Sequence, residues 1–157
     1  MQYYIKQKLF SWSDQFSIYD ASGNECYYVK GEIFSFGKKL HLYNSAHYEC
    51  AFIEQEVFTF KPRYNIYQGE RQVAQVVKQF TFFHDAYDIE GLDWHIEGDF
   101  FDHEYQVNNG VFPIFSVSKE WFTFGDAYCI DISNSVDASI ALAVALVIDA
   151  CIDAQRD

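Results

Sequence analysis

Two hydropathy regimes divide the chain. As far as about residue 132, apolar and polar residues alternate in short runs. From Ile140 to Ile148, every side chain is apolar. The alternating runs are YYIKQKLF, FSIYD, ECYYV, KLHLY, AFIEQEVF, RYNIY, AQVVKQF, AYDIEG, WHIEG, HEYQV, IFSVSK and AYCIDI. A period of two sends successive side chains to opposite faces of a strand. Ser22-Gly23, Gln68-Gly69, Glu90-Gly91 and Asn109-Gly110 separate the runs, and Asn-Gly is a strong hairpin signal. Roughly a dozen strands at about 11 residues each, turn included, is the spacing of an antiparallel sandwich or barrel.

The segment DASIALAVALVID predicts a helix over about 135–154. It is too short to cross a bilayer, which takes about 20 apolar residues. Ser133, Asn134 or Ser135 is the expected cap, with Asp137 in the first turn, where negative charge is favoured. Between Ala138 and Ile148 the one polar residue is Ser139. A helix apolar all round must be surrounded by protein. We therefore expect a mainly β fold: a closed antiparallel barrel of about 12 strands enclosing a hydrophobic C-terminal helix. Ala141, Leu142, Val144, Ala145 and Ile148 are its expected core, and residues 1–157 form one domain.

The chain also matches itself. YNIYQGERQVAQVVKQFTFFHDAYDI from Tyr64 aligns without gaps on YQVNNGVFPIFSVSKEWFTFGDAYCI from Tyr105. Tyr64 meets Tyr105, Gly69 meets Gly110, Lys78 meets Lys119, and Asp85-Ala86-Tyr87 meets Asp126-Ala127-Tyr128. A shorter echo pairs VKGEIF with IEGDFF, whose glycines, Gly31 and Gly98, are expected to mark bulges or sharp bends.

GDFFDHEYQVNNG, then VSKEWFTFGDAYCIDI, then an apolar helix ending in VIDAC, resembles the LURP-one-related family, a relative of the tubby C-terminal and phospholipid scramblase domains. FSIYDASGNECYYVKGEIFSFGKKLHLYN is similar to its first half. The resemblance implies a 12-stranded barrel threaded by the C-terminal helix. It implies no activity that carries over: tubby-type lipid sites use clustered Lys and Arg, and scramblases add an N-terminal region and a calcium-binding segment, neither of which this sequence has.

Composition narrows the partner. Eleven Lys and Arg face 23 Asp and Glu, a formal charge of −12. Such a field repels phosphate backbones and anionic headgroups, so no nucleic-acid partner is expected. The best local cationic set for an anion or lipid is Lys61, Arg63 and Arg71, joined by Lys38 and Lys39 if folding gathers them. Cys26, Cys50, Cys129 and Cys151 have no C-x-x-C or zinc spacing, and the N-terminus has no apolar signal core. Reduced thiols and a cytoplasmic location are the expectation.

No nucleophile elbow, glycine-rich phosphate loop or Cys–His pairing is visible, and no cofactor is expected. The densest polar stretch is DWHIEGDFFDHEY. There His95, Asp99, Asp102 and His103 are weak candidates for a divalent cation, against a solvated barrel face and turn. The repeated Asp85 and Asp126 read as turn residues, because a catalytic group is needed once whereas a fold element recurs. Asp149, Asp153 and Asp157 share a helix face, with Asp149 expected at the barrel mouth. The function expected is a non-enzymatic binding or adaptor domain for a protein partner. Weak membrane-lipid contact, or an enzyme site at a barrel mouth, is the alternative. The apolar plug excludes a lipocalin-like carrier and, with the missing signal, opposes an outer-membrane barrel.

Overall fold

The computed structural model describes residues 1–6, 15–32, 36–79, 86–99, 103–122 and 125–156. Each alternating run holds one strand: β1 (Gln2–Ile5), β2 (Gln15–Asp20), β3 (Glu25–Gly31), β4 (Lys39–Asn44), β5 (Glu49–Gln55), β6 (Arg63–Gln68), β7 (Arg71–Gln79), β8 (Ala86–Glu90), β9 (His95–Asp99), β10 (Glu104–Asn108), β11 (Pro113–Phe122) and β12 (Gly125–Ile132). Helix α1 (Ala138–Arg156) follows. All twelve strands join one antiparallel sheet, and β1 pairs with β12. The sheet therefore curls until its ends, β8 and β9, come together.

Closure is incomplete. Among the described residues, β8 and β9 meet in the single bridge Ile89–Trp94. Each is paired along its whole length with its other neighbour, β8 with β7 and β9 with β10, and sheet twist opens the pair beyond its turn. The barrel is nearly closed rather than closed. Curvature also arises elsewhere than expected. Gly31 pairs regularly with Leu40. The register shifts fall at Ile18/Tyr19, Leu42/Tyr43, Ile66/Tyr67 and Val107/Asn108. All four lie beside turns at one end of the barrel, where bulges sharpen the local twist. Gly98 does depart from strand geometry, at φ 137°. A Cβ there would lie 2.6 Å from both the Glu104 carbonyl oxygen and Tyr105 Cα, so only glycine lets β9 approach β10 this closely.

Inward side chains such as Ile18, Val29, Leu40, Leu42, Ile53 and Ile66 are fully buried against the helix. Ala141 through Ile148 are buried on every side, which accounts for the run of apolar residues. Burying Leu142, Val144, Leu146, Val147 and Ile148 contributes about 10 kcal/mol as an upper figure, and the alanines between them let the strands come close.

The helix begins at Ala138, later than the sequence suggests, and Asp137 is its cap rather than a first-turn residue. Ser133–Val136 is a turn, closed by Val136 N–H donating to the Ser133 carbonyl at 3.1 Å. The Asp137 carboxylate then accepts from Ser139 N–H at 3.0 Å, a bond to an orphan amide of the first turn. Ser139 Oγ donates to the same carboxylate oxygen, and Gln68 Nε2 reaches both Asp137 and Ser139. The one polar residue in the apolar stretch is thus satisfied by the β6–β7 turn.

Candidate binding surface at the barrel rim

Towards the opposite mouth, the C-terminal half of the helix meets buried polar groups. His103 Nδ1 lies 3.1 Å from Asp149 Oδ1, with His103 2% and Asp149 1% exposed. An ionised carboxylate has no proton to give, so the ring nitrogen is the donor. Tyr105 OH approaches Ala145 O at 3.4 Å and Asp149 Oδ1 at 3.5 Å. Tyr64 interacts with Cys151, further along the helix. The sequence repeat now has a physical meaning. Its halves are β6–β7–β8 and β10–β11–β12, and the aligned Tyr64 and Tyr105 both meet the C-terminal half of one helix.

This cluster anchors the helix and is poorly suited to chemistry. Burial pushes the Cys151 thiol up to about 12 despite nearby Lys78 and Lys38, so it stays protonated and is a poor nucleophile. Burial likewise holds the Tyr105 hydroxyl well above its ordinary value, with the Asp149 charge adding to it. A His–Asp pair orients an imidazole, but catalysis also needs a nucleophile or a substrate within reach, and both neighbours here are proton-locked.

The two described metal candidates lie in different surroundings. His103 is buried against Asp149, while His95 is exposed on β9 with Asp93 3.4 Å away. Asp102 and the side chain of Asp99 lie outside the described residues. Among the described residues, no three His, Cys, Asp or Glu group as metal ligands do. Asp85 and Asp157, and the side chains of Asp126 and Asp153, also lie outside the description.

The cationic set divides. Arg71 sits at the β6–β7 turn, beside the entry of the helix. Lys38, Lys39, Lys61 and Arg63 gather at the other end, where the β3–β4 and β5–β6 connections meet. Backbone bonds lace these connections together: Gln55 N–H to the Lys38 carbonyl at 2.8 Å, Glu56 N–H to the Arg63 carbonyl at 2.9 Å, and Lys78 N–H to the Pro62 carbonyl at 2.9 Å. Lys39 pairs with Glu54 at 3.7 Å and Arg63 with Glu56 at 3.8 Å. Lys61 Nζ donates to a neutral amide, that of Gln79.

Between these cations stand side chains that the sequence reading missed. Phe36 is 70% exposed, Phe58 92% and Phe60 89%. The rings of Phe36 and Phe58 touch, with centroids 5.4 Å apart. Gly37 packs so closely that a Cβ would come within 2.7 Å of Val57 Cγ1. Phe58 is held at φ 59°, a costly backbone region for an aromatic residue. The run AFIEQEVF reads as one strand, yet β5 stops at Gln55 and Val57 and Phe58 fall in the connection. The signal was present: Lys61-Pro62 follows, and a proline ends a strand's ladder. Two phenylalanines just before a forced stop are candidates for exposure.

A second aromatic group has a different character. Tyr28 stacks on Tyr43 with centroids 4.8 Å apart, and His41 lies tilted against Phe52 at 4.8 Å. These are cross-strand neighbours on the outer face of β3, β4 and β5. Rings packed against each other across neighbouring strands stabilise the sheet.

The same architecture occurs in a solved protein. The X-ray structure of an Arabidopsis thaliana protein matches with a TM-score of 0.65 over 96% of this chain and 90% of that one, at 15% identity, a likeness of fold. The family model described as LURP-one-related matches residues 1–149. This chain belongs to the LURP-one-related family. Its similarity extends to uncharacterized protein YxjI of Bacillus subtilis (strain 168), 36% identical over 149 residues, which cover 95% of this chain and 92% of that protein. This LURP-one-related chain thus shares its fold with the Arabidopsis protein. None of the helices among its described residues is long and apolar enough to cross a membrane.

Proposed function

We propose that this LURP-one-related chain is a non-enzymatic binding module of the cytoplasm and that it holds a protein partner at the rim formed by Phe36, Val57, Phe58 and Phe60. The observation that carries this reading is the Phe36–Phe58 pair, two large rings in mutual contact yet largely in water. Exposed aromatics that cluster on a firmly bonded scaffold are the material of interface hot spots. The strained backbone at Phe58 fits the same reading, because strain of this kind persists where the surroundings enforce it and collects at functional positions. Other features support the reading. The helix fills the barrel, which removes the usual ligand cavity of small barrels, and the buried His103–Asp149 cluster has neither nucleophile nor activated acid. The free thiols of all four cysteines agree with a reducing compartment.

The test is site-specific photo-crosslinking in the native cell. A photoreactive phenylalanine analogue at position 58 or 60 is expected to capture the same protein, and Phe36→Asp is expected to remove that adduct. The analogue at position 112, on the exposed β10–β11 turn, serves as control. An identical adduct from position 112, or none from 58 and 60, would reject the rim as the contact surface.

A further inference from the structure

We infer that the seam between β8 and β9 takes up an extended, basic peptide segment of a partner protein, paired to the sheet through its backbone. This contact is separate from the aromatic rim and does not depend on it. The seam is where the sheet runs out. β8 pairs with β7 and β9 with β10 along their lengths, but among the described residues the bridge Ile89–Trp94 is all that joins β8 to β9. An antiparallel strand directs every second N–H and C=O away from its ladder partner. Among the described residues those groups of β8 and β9 find no second ladder, and such an edge is a template on which an extended chain adds itself. The side chains at the seam agree. Trp94 and Ile96 pack against the core yet are half-buried, whereas Val107, the partner of Ile96 on β10, is fully buried. Gly98 holds the next inward place, opposite the buried Tyr105, and is exposed with no side chain to fill it. A strand along β9 would cover Ile96 and lay an apolar side chain over Gly98.

Charge selects the segment. Residues 79–118, which hold β8, β9 and β10, contain eight Asp and Glu and no Lys or Arg. Of these acids, Glu90, Asp93, Glu97 and Glu104 are exposed around the seam. Among the described residues none of the four pairs with a Lys or Arg, and Asp93 meets His95 at 3.4 Å. Asp88 does not count with them, because Gln79 links it to Lys61. Lys78 and Lys119, which bound the stretch, share the register of the buried Val76 and Val117, and Arg71 lies on β7, with β8 between it and β9. Glu97 and Glu104, with Gln106 and Ser116, also line an outer groove of about 520 Å³ across β9, β10 and β11. A Lys or Arg facing outward from a strand on β9 would be the cross-strand neighbour of Glu97, at the border of that groove. Complementary potential fixes the choice of partner, and like charge rejects the wrong one. A second copy of this chain would set acid against acid, the arrangement that keeps edges apart. Anionic lipid and nucleic acid meet the same repulsion.

The experiment selects peptides without presupposing their sequence. A random 12-residue library displayed on phage is panned against the whole chain, with a Glu97→Lys, Glu104→Lys variant as the subtracting decoy. Thermal melts establish that the decoy is folded, and Glu97→Gln, Glu104→Gln replaces it if the double lysine does not fold. Clones that alternate basic and apolar residues are expected to outnumber net acidic clones. The leading clone, as a synthetic peptide, is expected to bind the decoy at least tenfold more weakly than the wild type. Methylating every second amide nitrogen of that peptide, in each of the two registers, separates backbone pairing from charge alone. In at least one register it is expected to weaken binding about tenfold or more, as the loss of about two backbone hydrogen bonds does. Basic peptides that bind equally well when methylated in either register would overturn strand addition. Clones without a basic excess, clones indifferent to the decoy substitutions, or no enrichment would overturn the inference as a whole. Clones lost on Phe58→Asp but retained by the decoy would belong to the rim and reject the seam. Self-association of the whole chain that the decoy abolishes, without peptide enrichment, would assign the seam to a second copy and reject the peptide.

Discussion

His103 Nδ1 and Asp149 Oδ1, 3.1 Å apart and sealed from water, tie the start of β10 to the C-terminal half of the central helix. One comes from the polar stretch and the other from the end of the apolar stretch, and each makes the other tolerable in the interior. Removing one partner leaves the other buried without this bond. Asp149→Ala is expected to cost about 3–5 kcal/mol, and Asp149→Ala with His103→Ala less than the sum of the two single changes. Denaturant melts of the four proteins measure this. A loss under about 1 kcal/mol for Asp149→Ala would mean that the pair does not hold the helix.

Ala145 tests the enclosure of the helix. It is fully buried, with Tyr105 OH over its carbonyl. Ala145→Asp would place an unpaired charge there at a cost of at least several kcal/mol. The variant is expected to be insoluble or to lose its cooperative melt, and deletion of residues 136–157 to do the same. A soluble truncation with a sharp melting transition would contradict a helix-filled barrel.

Gly98 and Gly69 separate two kinds of glycine. Both have positive φ, but Gly69 has open space around it whereas Gly98 faces backbone. Gly69→Ala is expected to cost about 1 kcal/mol, from backbone strain alone. Gly98→Ala must also push β9 off β10, and a loss several times larger is expected by thermal melting. Equal losses at the two sites would show that β9 yields easily.

Phe58 is where stability and binding are expected to oppose each other. Asparagine accepts the left-handed region better than phenylalanine. Phe58→Asn is expected to gain about 0.5–1 kcal/mol of stability and to abolish the adduct of a photoreactive residue at position 60. A gain in melting temperature with the adduct intact would detach the strain from the binding role.

Asp137 gives the helix start a pH dependence. Burial raises its carboxyl pKa, but bonds from Ser139, Gln68 and the amides of Ser139 and Ile140 outweigh it, and the folded value lies below the ordinary 3.8. A depressed folded pKa supplies stability that is fully present above the unfolded value and lost as pH falls through the folded one. The wild type is therefore expected to exceed Asp137→Ala in melting temperature at neutral pH. That gap should close as pH drops below about 4. A gap independent of pH would mean that the cap acts through shape rather than charge.

Much of the fold was legible in the chain because it rests on local periodicity. Each alternating run became a strand, since a half-buried sheet needs one apolar face per strand whatever its neighbours are. Ile140–Ile148 announced a helix enclosed on all sides, since an all-apolar helix has nowhere else to go. The repeat was visible too, but its purpose was not: that Tyr64 and Tyr105 meet the same half of one helix depends on the curl of the whole sheet. Tertiary structure alone put His103 beside Asp149, split Arg71 from Lys61 and Arg63, and left β8 and β9 joined by one bridge among the described residues. Above all it decided that Phe58 and Phe60 lie in water. Hydrophobicity predicts burial only on average. Which apolar residues stay outside is set by where the strands stop and by a core already filled by α1, and neither is a property of the residues themselves.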